Sequence, residues 1–222
     1  MSLEETLNEL ASYGTDQNKK VYGKHGVKDE MFGVSYANLG KIVKKIKSNH
    51  ELGKQLWQTG IHDAKVLATM IIDSDQIKSN ELDSMVKELG NYVITDAFSG
   101  VAAKSKFAIE KFKKWSKSKD EWISTAAYNI LCTIAMKSDV DDSFFEEQIR
   151  IIQEKIHLAP NRTRYSMNNA LITIGGSREK LHQIAVSAAT QIGKVEVDHG
   201  ETGCKTPDAI PYMERMRKRK RK

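Results

Sequence analysis

The chain is poor in the features that would identify most chemistries at sight. Its 222 residues include two cysteines, Cys132 and Cys204. Two thiols cannot build a disulfide framework, so a stapled secreted scaffold is excluded. No apolar run approaches the ~20 residues that a bilayer-spanning helix needs. The opening MSLEETLNEL is acidic and lacks the basic start and apolar core of a signal peptide. These absences predict a soluble, intracellular protein in the cytoplasm. HExxH, CxxC, an EF-hand loop, a Walker loop, GxGxxG and GxSxG are all missing. The six histidines (His25, His50, His62, His157, His182 and His199) are scattered. His199 and Cys204 lie close in sequence, but two groups do not make a zinc site. A metal-dependent or nucleotide-driven enzyme is disfavoured, and no cofactor is expected.

What is present suffices for a folded core. Hydrophobic residues make up 40% of the chain and charged residues 29%, too apolar a balance for a disordered segment. The formal net charge of +6 is concentrated at one end. Of the 35 lysines and arginines and 29 acids, seven basic residues and Glu214 fall within 214–222, which leaves 28 of each sign in residues 1–213. The sequence therefore predicts one domain over residues 1–213 and a disordered basic tail over 214–222. Such a tail could touch nucleic acid non-specifically or simply aid solubility.

Helical periodicity recurs along most of the chain, and convincing period-2 strands are scarce. Leu3, Leu7 and Leu10 share a helical face, and Tyr22 to Gly26 reads as a loop. Helices are predicted over 35–47, 50–58, 62–72, 80–90, 96–115, 121–136, 143–157, 162–174 and 178–192. The segment from His62 (HDAKVLATMI) is nearly all apolar and should be buried. Three helices, from His62, Asp120 and Asn161, share a polar start followed by small and apolar residues. Aligned on Ala68, Ala127 and Asn168, they lie 59 and 41 residues apart. The second interval suits a HEAT unit of ~40–47 residues, and the first does not. The fold class predicted is all-α, an α-solenoid of degenerate helix pairs, with a helical bundle as the alternative.

Charge is segmented along this framework. Lys41, Lys44 and Lys45 lie in a run opposed only by Glu51, and Lys104 and Lys106 open a run of seven lysines opposed only by Glu110. Residues 139–147 hold five acids and no base. Such blocks either present a basic face to a polyanion or are solvated helix faces. Arg162, Arg164, Asn168 and Asn169 sit among residues that otherwise read as core. Buried polar groups need partners, which for these four are either phosphates and bases or neighbouring helices. Asp96, in the apolar and aromatic stretch Asn91-Tyr92-Val93-Ile94-Thr95-Asp96-Ala97-Phe98, could stabilise positive charge on a substrate. It could equally cap a helix beginning at Ala97.

Three stretches carry a family likeness: FGVSYANLGKIVKKI from Phe32, HELGKQLWQTGIHDAKVLATMI from His50, and VDHGETGCKTPDAIPYMERM from Val197. Together they resemble the DNA alkylation repair family of HEAT-like-repeat DNA glycosylases, the AlkC/AlkD type, from about Tyr22 to Met216. The resemblance implies an all-α solenoid, a right-handed superhelix whose concave basic face holds duplex DNA. It also implies a carboxylate, among aromatic side chains, that stabilises an oxocarbenium-like sugar without a metal. Against a WDxxD-like pattern, Tyr92-Val93-Ile94-Thr95-Asp96 keeps the final acid and puts Tyr92 at the aromatic position. Against a WxRR-like helix start, Trp122-Ile123-Ser124-Thr125 lacks the arginines. The helix from Arg162 lacks an expected tryptophan, with Asn168 and Asn169 in that region.

The leading expectation is a monofunctional glycosylase that releases cationic N-alkylated purines. Asp96 would be catalytic, Tyr92 and Trp122 would contact sugar or lesion, and Lys41, Lys44, Lys45, Lys104, Lys106, Arg162, Arg164 and Asn168 would bind DNA. The expected partner is double-stranded or structured DNA, met by a nucleoid-associated monomer with no membrane contact. The alternatives are a non-catalytic binder of branched or distorted DNA and a protein-interaction scaffold.

Overall fold

The computed structural model describes residues 1–137 and 139–220, the last by its backbone alone. Among them are thirteen α-helices, three short 3-10 turns and no strand. The chain divides into two compact units, Met1–Phe107 with Gly200–Thr202, and Ala108–His199 with Gly203–Lys222.

The first unit contains α1 (Leu3–Tyr13), α2 (Asp16–Lys24), α3 (Tyr36–Ile46), α4 (His50–Gln58), α5 (His62–Ile71), α6 (Ser79–Met85) and α7 (Tyr92–Lys104). Side-chain caps set many of these starts. Ser2, Thr15, Ser35, Asn49 and Asn91 each accept a hydrogen bond from a first-turn amide, and Ser2 forms a capping box with Glu5. As its composition predicts, α5 is the buried helix, with Ala64, Val66, Leu67, Ala68 and Ile71 at most 2% exposed. It packs on α4, α3 and α7. The stretch predicted to be a loop at Tyr22–Gly26 is instead the end of α2, which runs to Lys24 and turns out at Gly26 with φ +80°.

One buried carboxylate organises this unit. Asp63, 1% exposed at the second position of α5, accepts from three successive backbone amides: Phe32 at 2.6 Å and Gly33 at 3.2 Å on Oδ2, and Val34 at 2.7 Å on Oδ1. Gly33 has φ +81°, and a Cβ there would lie 2.4 Å from the Thr15 carbonyl oxygen, so only glycine fits this turn. Its neighbour His62 is 1% exposed, edge-on to Tyr22 with ring centroids 5.3 Å apart, and neither ring nitrogen has a hydrogen-bond partner among the described residues.

The second unit contains α8 (Ala108–Trp115), α9 (Glu121–Ala135), α10 (Asp142–Lys155), α11 (Asn161–Ser177), α12 (His182–Ile192) and α13 (Ala209–Lys220). Helix α11 is its centre and touches α9, α10, α12 and α13. Ser124 and Thr163 pair hydroxyls at 2.7 Å between α9 and α11, and the Arg162 amide donates to Glu121 Oε1 at 2.6 Å. Arg178, just past α11, holds the α9–α10 connection. Its guanidinium donates to the carbonyls of Ala135, Lys137 and Val140 and to Asp142, and it lies 4.0 Å from the Phe145 ring centroid.

Two further boundaries differ from the sequence reading. The helix expected over 96–115 is two helices, α7 and α8, separated at Ser105-Lys106-Phe107, where the Ser105 hydroxyl donates back to the Ala102 carbonyl and accepts from the Phe107 amide. The tail expected to be disordered from Glu214 is helical to Lys220, as part of α13; its last two residues, Arg221 and Lys222, lie outside the described residues. The physical reason is docking: Met213 is fully buried against α11.

Two predictions follow from Asp63 and His62. Asp63→Ala strands buried amide donors, each worth roughly 1–3 kcal/mol when unpaired, so the variant should lose about 3–5 kcal/mol in urea unfolding. An unchanged midpoint would show that the Phe32–Val34 turn holds itself. His62 titrates below its ordinary value because burial disfavours the imidazolium, an effect larger than the attraction of Asp63 and Asp29. Below about pH 6.5 the unfolded chain therefore takes up a proton that the fold refuses, and stability falls with pH until the folded-state pKa is reached. His62→Phe keeps a flat ring against Tyr22 and should remove that part of the slope; parallel curves for wild type and variant would sink this account.

Candidate functional site

Asp96 lies within α7, which begins at Tyr92 rather than at Ala97. The cap is Asn91, whose Oδ1 accepts from the Ile94 amide at 3.1 Å. The alternative role for Asp96 as a helix cap is thereby removed. Five residues into a helix with one buried stripe of Ile94, Phe98 and Val101, Asp96 falls on the exposed side.

The side chains around this acid come from three helices of the first unit. Tyr92 stands one turn before Asp96 on the same helix. Its hydroxyl meets His25 Nδ1 at the end of α2, and the two rings pack edge to face with centroids 5.7 Å apart. Tyr36, the first residue of α3, is half exposed. Its phenol is pushed above the ordinary value, first by burial and then by the Asp96 charge, which places the two groups within electrostatic reach. Tyr22 is driven up to about 12 by burial and by Asp63 and Tyr36, and donates to the Val34 carbonyl at 2.7 Å. An exposed carboxylate with tyrosines beside it can stabilise a cation or an electron-poor ring. Tyr36 and His25 were not among the residues singled out from the sequence. Tyr36 lies in the Phe32 motif directly after the Ser35 cap, but its link to Asp96 spans sixty residues and leaves no local signal.

Other residues singled out by sequence fall into three groups. Lys41, Lys44, Lys104 and Lys106 are exposed cations, Lys41 lying 5.4 Å above the Tyr13 ring and Lys106 5.3 Å from that of Phe107. Lys45 is paired with Glu9 at 2.7 Å. Within the lysine run, Lys111 is fully buried beside Glu110 and Trp115, so the run presents less surface charge than its composition suggests. Trp122 is half-buried at the second position of α9, its amide bound by the Asp120 cap. Ser124 and Thr125, where the resemblance would put arginines, are buried against Thr163.

The polar residues of α11 are ties within the protein. Arg164 donates to the carbonyls of Glu196, Ala159 and His157, the first two at 2.9 and 3.1 Å. Asn168, 1% exposed, donates to the Pro207 carbonyl at 2.9 Å. Asn161 exchanges two hydrogen bonds with the Asp198 backbone. Together they hold residues 193–208 as a strap beside an open cavity of about 1110 Å³. Arg164 and Asn168, expected from the sequence to bind DNA, thus make hydrogen bonds to main-chain carbonyls within the protein. Arg162 stacks on Tyr165, 4.6 Å from its ring centroid, and its charge adds to burial in lowering the pKa of His199.

Residues 3–213 match the model of the family described as DNA alkylation repair enzyme. The chain belongs to that family. Two relatives similar to this chain are the uncharacterized proteins Lin0241 of Listeria innocua and Lmo0209 of Listeria monocytogenes. Each is 28% identical over 218 residues, or 95% of both chains. A solved structure matches with a TM-score of 0.90 at 28% identity, covering all of this chain and 96% of that one. It is described as "a new family of proteins related to the HEAT-like repeat DNA glycosylases with affinity for branched DNA structures". The all-α, HEAT-like class expected from the helix pairs is therefore the fold of this family member. No helix among its described residues is long and apolar enough to cross a membrane.

The Asp96–Tyr36 proximity is open to a direct test. Asp96→Asn should lower the Tyr36 pKa toward the ordinary phenol value without reaching it, since burial is the larger cause and persists. A spectroscopic pH titration, with Tyr36→Phe to identify the signal, measures this; an unmoved Tyr36 would mean that the two groups do not sense each other.

Proposed function

We propose that this family member binds branched or distorted duplex DNA and does so without excising bases. The observation that carries the reading is the diversion of the groups an excision site would use to grip the backbone. Serine and threonine, buried, replace the arginines at the start of α9, and Arg164 and Asn168 of α11 donate to main-chain carbonyls. Further support is the similarity to a structure from a family with affinity for branched DNA. Exposed Lys41, Lys44, Lys104 and Lys106 supply backbone contacts in this reading, and the binding is steeply salt-dependent because each phosphate neutralised releases counterions.

A second reading is kept because of one observation: Asp96 is exposed and flanked by Tyr92 and Tyr36. An acid so placed could stabilise the oxocarbenium-like sugar of a departing cationic alkylpurine and help position water, with no metal. Asp96 would then be catalytic.

One paired assay separates the two. The protein should bind a four-way junction at least about tenfold more tightly than linear duplex of equal length, a difference of roughly 1.4 kcal/mol. It should release no 7-methylguanine or 3-methyladenine from alkylated duplex under single turnover. Base release that disappears in Asp96→Asn would replace the proposed function with the glycosylase reading, and failure to bind either DNA would remove both.

A further inference from the structure

The basic residues near the C-terminus are mounted on a docked helix. Along α13, Met213 and Met216 face α11 at Gly175 and Gly176. A Cβ on Gly175 would come within 2.6 Å of Met213 Sδ, and one on Gly176 within 2.8 Å of Met216 Cβ. The glycine pair thus lets the two helices approach more closely than any other residue would permit. Polar contacts fix the same face at both sides. Glu214 Oε1 lies 2.9 Å from Nε2 of buried His182, and Arg217 pairs with Glu179. Glu214 is the single acid between Ala209 and Lys220, and one of its oxygens faces His182.

Apart from Glu214, the exposed charges described along α13 are cationic. Arg215, Lys218 and Arg219 are exposed, at relative helical positions that share one face. Tyr212, 40% exposed, lies one turn before Arg215, whose guanidinium carbon sits 4.6 Å from the tyrosine ring centroid. The stacked ring restrains the arginine and adds a flat surface beside it. A tail that served only for solubility would gain nothing from two methionines seated on a glycine pair. A helix that must hold cations at fixed positions would.

We infer that α13 is a positioned grip on the sugar–phosphate backbone of duplex DNA, with Arg215, Lys218 and Arg219 as the contacting cations and Tyr212 as the support of Arg215. The three cations lie within about 6 Å of helical rise, a span that suits two or three phosphates of a molecule carrying one charge per ~1.7 Å of axis. This inference rests on the DNA-binding reading above and adds a surface that the lysine runs did not suggest.

The test uses the full chain and labelled junction DNA titrated at several salt concentrations. Arg215→Gln/Lys218→Gln/Arg219→Gln leaves the docking face intact. It should weaken binding at least about tenfold at low salt and reduce the slope of log K against log[salt] by about 2, at ~0.9 per phosphate contact. Met213→Gln/Met216→Gln keeps every charge but undocks the helix, and should weaken binding comparably. A triple variant that binds with wild-type affinity and slope would overturn the assignment. A weakened triple variant with an unaffected methionine variant would also overturn it, since the charges would then act as a free tail. Wild type that binds no DNA would refute the underlying functional reading, an outcome visible before either variant is measured.

Discussion

The first unit depends on one buried carboxylate. Asp63 takes three main-chain amides from the Phe32–Val34 turn, and each would be costly to leave unsatisfied away from water. That turn leads directly into the Ser35 cap and so fixes where α3 begins. Tyr36 is the first residue of α3, and its position in the unit is therefore set in part through Asp63. The positive φ of Gly33 belongs to the same arrangement. A carboxylate that accepts from successive amides wants a turn in which those amides converge, and a glycine in the left-handed region supplies it.

The same observation explains what the family-like stretches do. Phe32 opens the first and Asp63 lies in the second, so the two most recognisable segments are joined by hydrogen bonds that build scaffold. The third, from Val197, contains the strap that Asn161, Arg164 and Asn168 hold from α11, and it runs into α13, where Met213 and Met216 dock. Resemblance through these stretches is resemblance in how the helices are tied together. Chemistry depends on other positions, at Asp96, at the start of α9 and on exposed lysines, and a single scaffold can carry different versions of those.

Helix existence was readable because amphipathic periodicity is local: α3, α4, α5, α9, α10 and α12 fall where their apolar spacing puts them. What was not readable was decided by contacts distant in sequence. The break between α7 and α8 rests on one serine hydroxyl bonding back to the chain, a weak signal inside an otherwise periodic stretch. Asn91 and Asp96 are both good capping residues, and composition could not choose between them; Ile94 and Phe98, facing inward from a helix that starts at Tyr92, did. The polar face of α11 needs partners on sequence grounds alone, but the strap that supplies them lies between thirty and forty residues downstream. His25 and Tyr36 went unmarked because neither stands in a motif with Asp96. A run of lysines reads as surface charge, yet Lys111 buries both stem and head with glutamate and tryptophan beside it.

The C-terminal helix shows most plainly how tertiary contacts reverse a local reading. From Arg215 onward the sequence is almost purely cationic, and like charges at helical spacing repel. In isolation such a segment would remain unfolded. Two terms reverse that outcome. Burial of Met213 and Met216 against a glycine pair gives the helix an apolar footing, and the pairing of Arg217 with Glu179 neutralises one of its cations. The repulsion left among Arg215, Lys218 and Arg219 is partly relieved by solvent screening and would be relieved further by an anion. A helix held folded against its own charge is in effect destabilised toward binding a polyanion, because the ligand lowers an energy that the free protein already bears. Position and repulsion therefore act together: docking keeps the cations on one face, and their mutual proximity makes that face favour phosphate over water.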